Sequence, residues 1–225
     1  MTETAWQPGP AQPRLAAATV DVWRADLASA GGEDARALLS PEERERAARF
    51  ARPGDGERWT AARAVLRALL GACAGVDPCE LRFAVGPHGK PALVDAPPLR
   101  FNLSHSADVA LYALSPDREV GVDVELPRRA VDHVAIARRI LGEAEAERLR
   151  ALDEPRRERE FLRAWVRWEA ALKCTGTGIG GAGTASGRPA PWIHELDIGP
   201  PGAAALAVMD GPVAVRCWRW PAAAR

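Results

Sequence analysis

Two stretches of this chain carry carboxylates at spacings suited to holding a metal ion. In Gly121-Val122-Asp123-Val124-Glu125 the acids lie two residues apart on a predicted strand. Strand side chains alternate, so Asp123 and Glu125 share one face and Val122 and Val124 the other. Two like charges this close repel unless a cation sits between them. An oxygen-only site with few protein ligands suits Mg²⁺, which keeps several waters and takes its other oxygens from substrate phosphates. A solvated polar strand face is the plainer reading, and on it Asp123 contributes little to the fold.

In the second stretch, Trp165, Glu169 and Lys173 fall at i, i+4 and i+8 and form one helical stripe. Glu169 can supply a third carboxylate, and Lys173 can reach a phosphate held by the same metal. The structural alternative is an ordinary i,i+4 surface pair worth a few tenths of a kcal/mol. The flanking Trp165 and Trp168 argue for a buried surface instead. Ser104-His105-Ser106 ends a short strand, and three roles stay open to His105: a cation toward pyrophosphate, a general base, or a hydrogen-bonded structural histidine. No G-x-S-x-G elbow, no Walker A loop and no G-x-G-x-x-G after a strand occurs, which removes triad hydrolases, P-loop enzymes and dinucleotide folds.

Of the 30 Lys and Arg residues only Lys90 and Lys173 are lysines, and both lie in such stretches, Lys90 within Gly89-Lys90-Pro91. An ammonium is a compact point charge and a guanidinium a planar fork, so the two are not interchangeable at a tight oxyanion site.

The elements that must position these groups follow from local pattern. Val20–Trp23 alternates as a strand. Ser40-Pro41-Glu42-Glu43 combines an N-cap serine, proline at the first helical position and glutamate three residues after the cap, a helix start expected to run through Phe50. A second helix places Trp59, Ala62, Leu66, Leu69, Leu70 and Cys73 on one face, and Leu81–Val85 reads as a strand. Asp108–Leu114 and Glu119–Leu126 alternate about Ser115-Pro116-Asp117-Arg118, a hairpin-like pattern. Helices are expected at 132–141, 143–152 and 156–174. A glycine-rich loop follows, with Gly176, Gly178, Gly180, Gly181, Gly183 and Gly187, and then three strands at 192–198, 203–209 and 213–220. The order of elements suggests two related α+β lobes with a boundary near 115–119.

At 225 residues the chain can bury a real core, and its 47% hydrophobic and 27% charged content is that of a soluble globular protein. Zero net charge argues against a general nucleic-acid binder. No apolar run reaches the length of a transmembrane helix, and residues 1–6 lack the pattern of a secretory signal. Cys73, Cys79, Cys174 and Cys217 have no zinc-site spacing and read as reduced thiols, which together point to the cytoplasm.

Taken in order, Gly89-Lys90-Pro91, Phe101-Asn102-Leu103-Ser104-His105-Ser106, Gly121-Val122-Asp123-Val124-Glu125 and Trp165 through Lys173 resemble the Sfp-type 4′-phosphopantetheinyl transferases, over about Ser40 to Ile179. The G-[IV]-D-[IV]-E motif and the W-x-x-x-E-x-x-x-K helix are specific as a pair. The resemblance implies an α+β pseudodimer of two similar lobes with the active site in the cleft between them. Residues 1–14 would be a flexible arm, 15–117 an N-terminal lobe on the 3′-phosphate and adenine side of coenzyme A, and 118–225 a C-terminal lobe with the metal and catalytic carboxylates. It implies Mg²⁺-dependent transfer of phosphopantetheine from coenzyme A to a serine of an apo acyl or peptidyl carrier protein domain, with release of 3′,5′-ADP. The two-lobed length argues that one chain makes a complete site, so a monomer is expected. A noncatalytic coenzyme A or carrier-binding module and a Mg²⁺-dependent phosphoanhydride hydrolase are the alternatives.

Carried over by position, Asp123, Glu125 and Glu169 would bind the metal. Lys173 and His105 would contact the pyrophosphate, with Ser104 and Lys90 also in the cofactor site and Glu169, Lys173 and His105 as the catalytic groups. Arg46, Arg52, Arg58 and Arg63 are candidates for the 3′-phosphate, of which Arg52 and Arg58 are chosen. The family usually has lysine directly before the helix glutamate, and this chain has Trp168. That leaves Glu169 or a water on the metal as proton acceptor.

Lys173→Arg is expected to lose most of the transfer rate, and Lys173→Ala at least as much, with little change in melting temperature. Full activity in Lys173→Arg would show that a compact ammonium is not required there.

Overall fold

Residues 5–86, 88–94, 99–128, 131–177 and 189–221 are described by the computed structural model; the expected loop glycines 178, 180, 181, 183 and 187 lie outside them. The protein is a mixed α+β structure. A five-stranded sheet has the order β1 (Gln7–Pro8), β10 (Ala214–Arg219), β2 (Thr19–Asp26), β6 (Val109–Ser115), β5 (Arg100–Ser106). A three-stranded sheet has the order β7 (Val120–Glu125), β9 (Ala203–Val208), β8 (Trp192–Leu196), and β3 (Arg82–Val85) and β4 (Pro91–Val94) form a separate ribbon. The helices are α1 (Glu33–Ala37), α2 (Pro41–Ala48), α3 (Pro53–Ala74), α4 (His133–Ile140), α5 (Glu143–Arg150) and α6 (Arg156–Thr175). None of the helices is long and apolar enough to cross a membrane.

Alternation along β2 and β6 builds both sides of the first sheet. Trp23, Ala25, Tyr112 and Leu114 meet Ala62, Leu66, Leu69 and Leu70 of α3. Val20, Val22, Leu111 and Ala113 point the other way, against Val120, Val122 and Val124 of β7 and Leu206 and Val208 of β9. The opposite face of β7 and β9 receives α6 through Val166, Ala170 and Cys174. The layers therefore run α3, sheet, sheet, α6.

Local capping behaves as its chemistry requires. Ser40 Oγ accepts the Glu43 amide and Glu43 Oε2 accepts the Ser40 amide, closing a capping box on α2, although the helix ends at Ala48 and not at Phe50. The same Glu43 carboxylate accepts from Arg63 and Arg67, the latter 2% exposed, and so pins α2 to α3.

Two features depart from sequence pattern. β6 and β7 are not a hairpin: β6 pairs with β2 and β5, whereas β7 pairs with β9. Both edges of β6 are already taken, so the Ser115–Arg118 turn carries the chain from one sheet to the other. The second is β10, which leaves β8 and β9 and lies parallel to β2, with Cys217 opposite Val22. Residues 5–14, expected within a loose arm, are partly docked on it: β1 pairs with β10, Gly9 N donates to Arg219 O, and Trp6 Nε1 donates to Asp197 O.

The contact that positions the site is between α6 and β7. Gly121 lies opposite Ala207 on β9, and Ala205 and Ala203 continue the same small-residue face. A Cβ on Gly121 would fall well inside van der Waals range of Ala170 O and Cys174 N of α6. The glycine before the two acids is therefore a packing requirement. Gly121→Ala is expected to push α6 outward and destabilise the protein by about 1–3 kcal/mol, the usual range for overpacking, read as a lower urea midpoint with an unchanged m-value.

Candidate active site

Gly121, Asp123 and Glu125 share the β7 face that α6 covers. Asp123 is consequently only 3% exposed, and the sequence expectation of a solvated carboxylate is corrected: the polar face of the strand lies beneath a helix. Its Oδ1 accepts from Lys173 Nζ at 2.6 Å and from Ser104 Oγ at 2.7 Å, and Lys173 Nζ also donates to Ser104 Oγ at 3.0 Å. Among the described residues Lys173 forms its ion pair with Asp123, across on β7, and not with Glu169 one turn back. Asp123 Oδ2 is buried and has no hydrogen-bond partner among the described residues.

Glu125 stands at the rim of the same face. Its Oε2 accepts from Ser106 Oγ at 2.9 Å and from Arg128 at 3.0 Å. Partial burial raises its pKa above the ordinary carboxylate value, Asp123 adds repulsion, and Ser106 and Arg128 act the other way. Glu169, half-buried on α6, is raised for the same leading reason; Lys173 opposes the shift, and Asp123 and Glu125 add to it. The three carboxylates thus feel one another, with Lys173 as the cation they share. No three His, Cys, Asp or Glu side chains among the described residues converge as a closed ligand set. The buried oxygen of Asp123 that lacks a partner among the described residues, with two further carboxylates whose mutual repulsion a cation would relieve, is nonetheless the donor chemistry of a hard divalent cation.

His105 faces away from Ser104 on β5 and lies at the surface. Surrounding protein lowers its pKa, and Lys173 lowers it further, which favours the neutral imidazole over the imidazolium at neutral pH. Arg58 approaches the turn just beyond it, its Nε donating to Asp108 Oδ1 at 2.7 Å. Arg52 is exposed as the N-cap of α3. Of the other arginine candidates, Arg63 is held by Glu43 and lies over the Phe83 ring at 3.8 Å, and Arg46 lies over Trp59 at 5.3 Å.

Lys90 is set apart from the carboxylates. The ribbon turn, with Gly89 at φ 84°, delivers its Nζ to Glu119 Oε2 at 2.9 Å, Val120 O at 3.0 Å and Cys174 O at 3.2 Å. All three ammonium donors are engaged at the C-terminal end of α6. Lys90 also lines a cavity of about 230 Å³ with His88, Arg100 and Phe101.

Trp168 packs against Trp165 at 5.3 Å with the rings tilted, and Trp165 stacks on Phe161 at 5.7 Å, which extends an aromatic row along α6 beside Glu169. Two residues of evident consequence had no assigned role in the sequence: Asn102, whose Oδ1 accepts the Val122 amide at 2.8 Å, and Ser106. Their signal was the alternation Asn102, Ser104, Ser106, a polar period of two in a strand buried at those positions.

Residues 119–199 match the model of the 4′-phosphopantetheinyl transferase superfamily, and residues 28–117 match that of the 4′-phosphopantetheinyl transferase N-terminal region. The 4′-phosphopantetheinyl transferase HetI of Nostoc sp. is 38% identical over 184 residues, covering 80% of this chain and 78% of the relative. A putative 4′-phosphopantetheinyl transferase of Synechocystis sp. is 38% identical over 148 residues, 65% of this chain and 60% of its own length. The 4′-phosphopantetheinyl transferase Sfp of Bacillus subtilis is 28% identical over 142 residues, 63% of this chain and 62% of its own. The matched region is thus less than two thirds of the last two relatives, and more than two thirds of the first. The matches to HetI and to the superfamily model both run through the strand and helix that hold Asp123, Glu125, Glu169 and Lys173, and on them this chain belongs to the 4′-phosphopantetheinyl transferase family.

Proposed function

We propose that the protein moves the phosphopantetheine arm of coenzyme A onto a serine of an apo acyl or peptidyl carrier protein, in a Mg²⁺-dependent reaction that releases 3′,5′-ADP in the cytoplasm. The observation that carries this reading is the buried Asp123, one oxygen on Lys173 and Ser104 and the other without a partner, beside Glu125 and Glu169. Asp123, Glu125 and Glu169 would hold the cation, which when bound supplies positive charge against the charge gathering on the leaving phosphate.

In the transfer, the carrier serine oxygen forms a bond to the β-phosphorus as the bond to the bridging oxygen breaks, and the serine proton must leave. Glu169, directly or through a water, is the proposed acceptor, a carboxylate on α6 one turn before Lys173. Lys173 would hold positive charge at the pyrophosphate, and neutral His105 would donate an N–H to it. Ser104 completes that end of the site, and Arg52, Arg58 and Lys90 would serve the 3′-phosphate and adenine side. The site lies in the proposed cleft between two α+β lobes of a monomer. The four free cysteines suit a reducing compartment.

Incubation with coenzyme A, Mg²⁺ and an apo carrier protein, followed by weighing the carrier, tests the reading. Wild-type protein is expected to add phosphopantetheine. Release of 3′,5′-ADP without carrier modification would make it a hydrolase, and neither product would make it a binding module. Because Asp123 is buried against Lys173, the informative variant is Asp123→Asn, which keeps the shape and is expected to abolish transfer.

Stability provides a separate check on Glu169. Its folded pKa is raised, so in metal-free protein the folded state binds more protons than the unfolded state, and stability falls as pH rises from the ordinary glutamate pKa, 4.5, through the folded value. Glu169→Gln is expected to remove that part of the slope and raise the neutral-pH melting temperature without metal, while lowering the transfer rate by roughly 10²-fold or more.

A further inference from the structure

The two sheets meet along β5 and β7, and their contact is made by side chains. Asn102, Ser104 and Ser106 project from β5 at a period of two and are 6%, 8% and 4% exposed. Asn102 Oδ1 takes the Val122 amide at 2.8 Å, and Ser106 Oγ takes the Leu126 amide at 3.1 Å. Each serine then has one proton to place. In Ser106 the Leu126 N–H occupies the acceptor side, so the hydroxyl donates to Glu125 Oε2 at 2.9 Å. In Ser104 the Lys173 ammonium occupies it, so the hydroxyl donates to Asp123 Oδ1 at 2.7 Å. Each of the paired carboxylates is therefore held through one oxygen by its own serine, and each serine is oriented by an N–H that it accepts.

We propose that Ser106 is a positioning residue for divalent cation binding: it holds Oε2 of Glu125, fixes the plane of that carboxylate and turns Oε1, which meets only the exposed Arg128 at 3.4 Å, toward the metal. This rests on the reading of Asp123, Glu125 and Glu169 as the metal-binding set. Partners one step out from a metal ligand act by orienting it, and their loss typically weakens metal affinity by 10–100-fold. Ser106 also ties Glu125 to the strand that carries His105 and Ser104, so β5 contacts both the proposed metal ligands and the proposed phosphate-binding end of the site.

The test is Mn²⁺ affinity, read by electron paramagnetic resonance with coenzyme A present, in wild type, Ser106→Ala, Glu125→Gln and the double variant. Ser106→Ala is expected to weaken Mn²⁺ binding by about tenfold or more. The same substitution made in Glu125→Gln is expected to change nothing further, since the effect passes through that carboxylate. Wild-type affinity in Ser106→Ala, or an undiminished effect in the Glu125→Gln background, overturns the proposal and leaves the metal assignment standing. Absence of Mn²⁺ binding by wild-type protein overturns the metal assignment, and this proposal with it. Loss of the Leu126 partner can prevent Ser106→Ala from folding. In that event Ser106→Cys, close in shape but a weak donor, is expected to show the same loss, and wild-type affinity in it overturns the proposal.

Discussion

Helix α6 can bring Lys173 to Asp123 because β7 and β9 put almost no side-chain volume beneath it. Gly121, Ala203, Ala205 and Ala207 form a floor on which backbone meets backbone. A larger residue anywhere on that floor lifts the helix, and the 2.6 Å contact between ammonium and carboxylate is the first to go. The close approach also buries Asp123, which raises the cost of leaving its second oxygen unpaired. Packing, charge and donor availability at the site are therefore consequences of one absent Cβ.

The two lysines meet the same helix in different ways: α6 carries Lys173, and Lys90 reaches the helix end from the ribbon turn. Lys173 serves one buried acid and one serine, whereas Lys90 meets three acceptors at the helix end: a carboxylate and two backbone carbonyls. A tripod of N–H bonds satisfies acceptors that do not share a plane, which a guanidinium fork does less well. The arginines appear instead where planar pairing or stacking is available, as in Arg216 with both oxygens of Asp21, or Arg63 over Phe83. The uneven use of the two cations along the chain thus has a geometric basis at both lysine positions.

Much of the architecture was legible because it is local. The Ser40 capping box, the apolar face of α3, the stripe on α6 and the alternation of Asp123 and Glu125 each depend on neighbours within a few residues. What was not legible depends on partners far along the chain. Alternation places Asp123 opposite Val122, but it cannot say that the polar side is the one α6 covers. The runs on either side of Ser115–Arg118 have the pattern of a hairpin, and nothing within them reveals that β2 and β5 already occupy both edges of β6. Asn102 and Ser106 carry no charge and match no motif. Their importance arises from the 20-residue separation across which they meet Val122 and Leu126.

The parallel pairing of β10 with β2 has a consequence for biosynthesis. Strands β2, β6 and β5 leave the ribosome early, yet the β2 edge stays unpaired until residues 214–219 have been made. Trp23 is enclosed by Trp218 and Trp220 at ring separations of 6.2 and 6.1 Å, so part of the first core cluster is supplied by the last strand. Vectorial folding, in which an N-terminal unit settles before the rest is translated, is closed to this topology. The nascent chain must hold an open strand edge and an uncovered indole through most of its synthesis, which is the interval in which such edges recruit other chains.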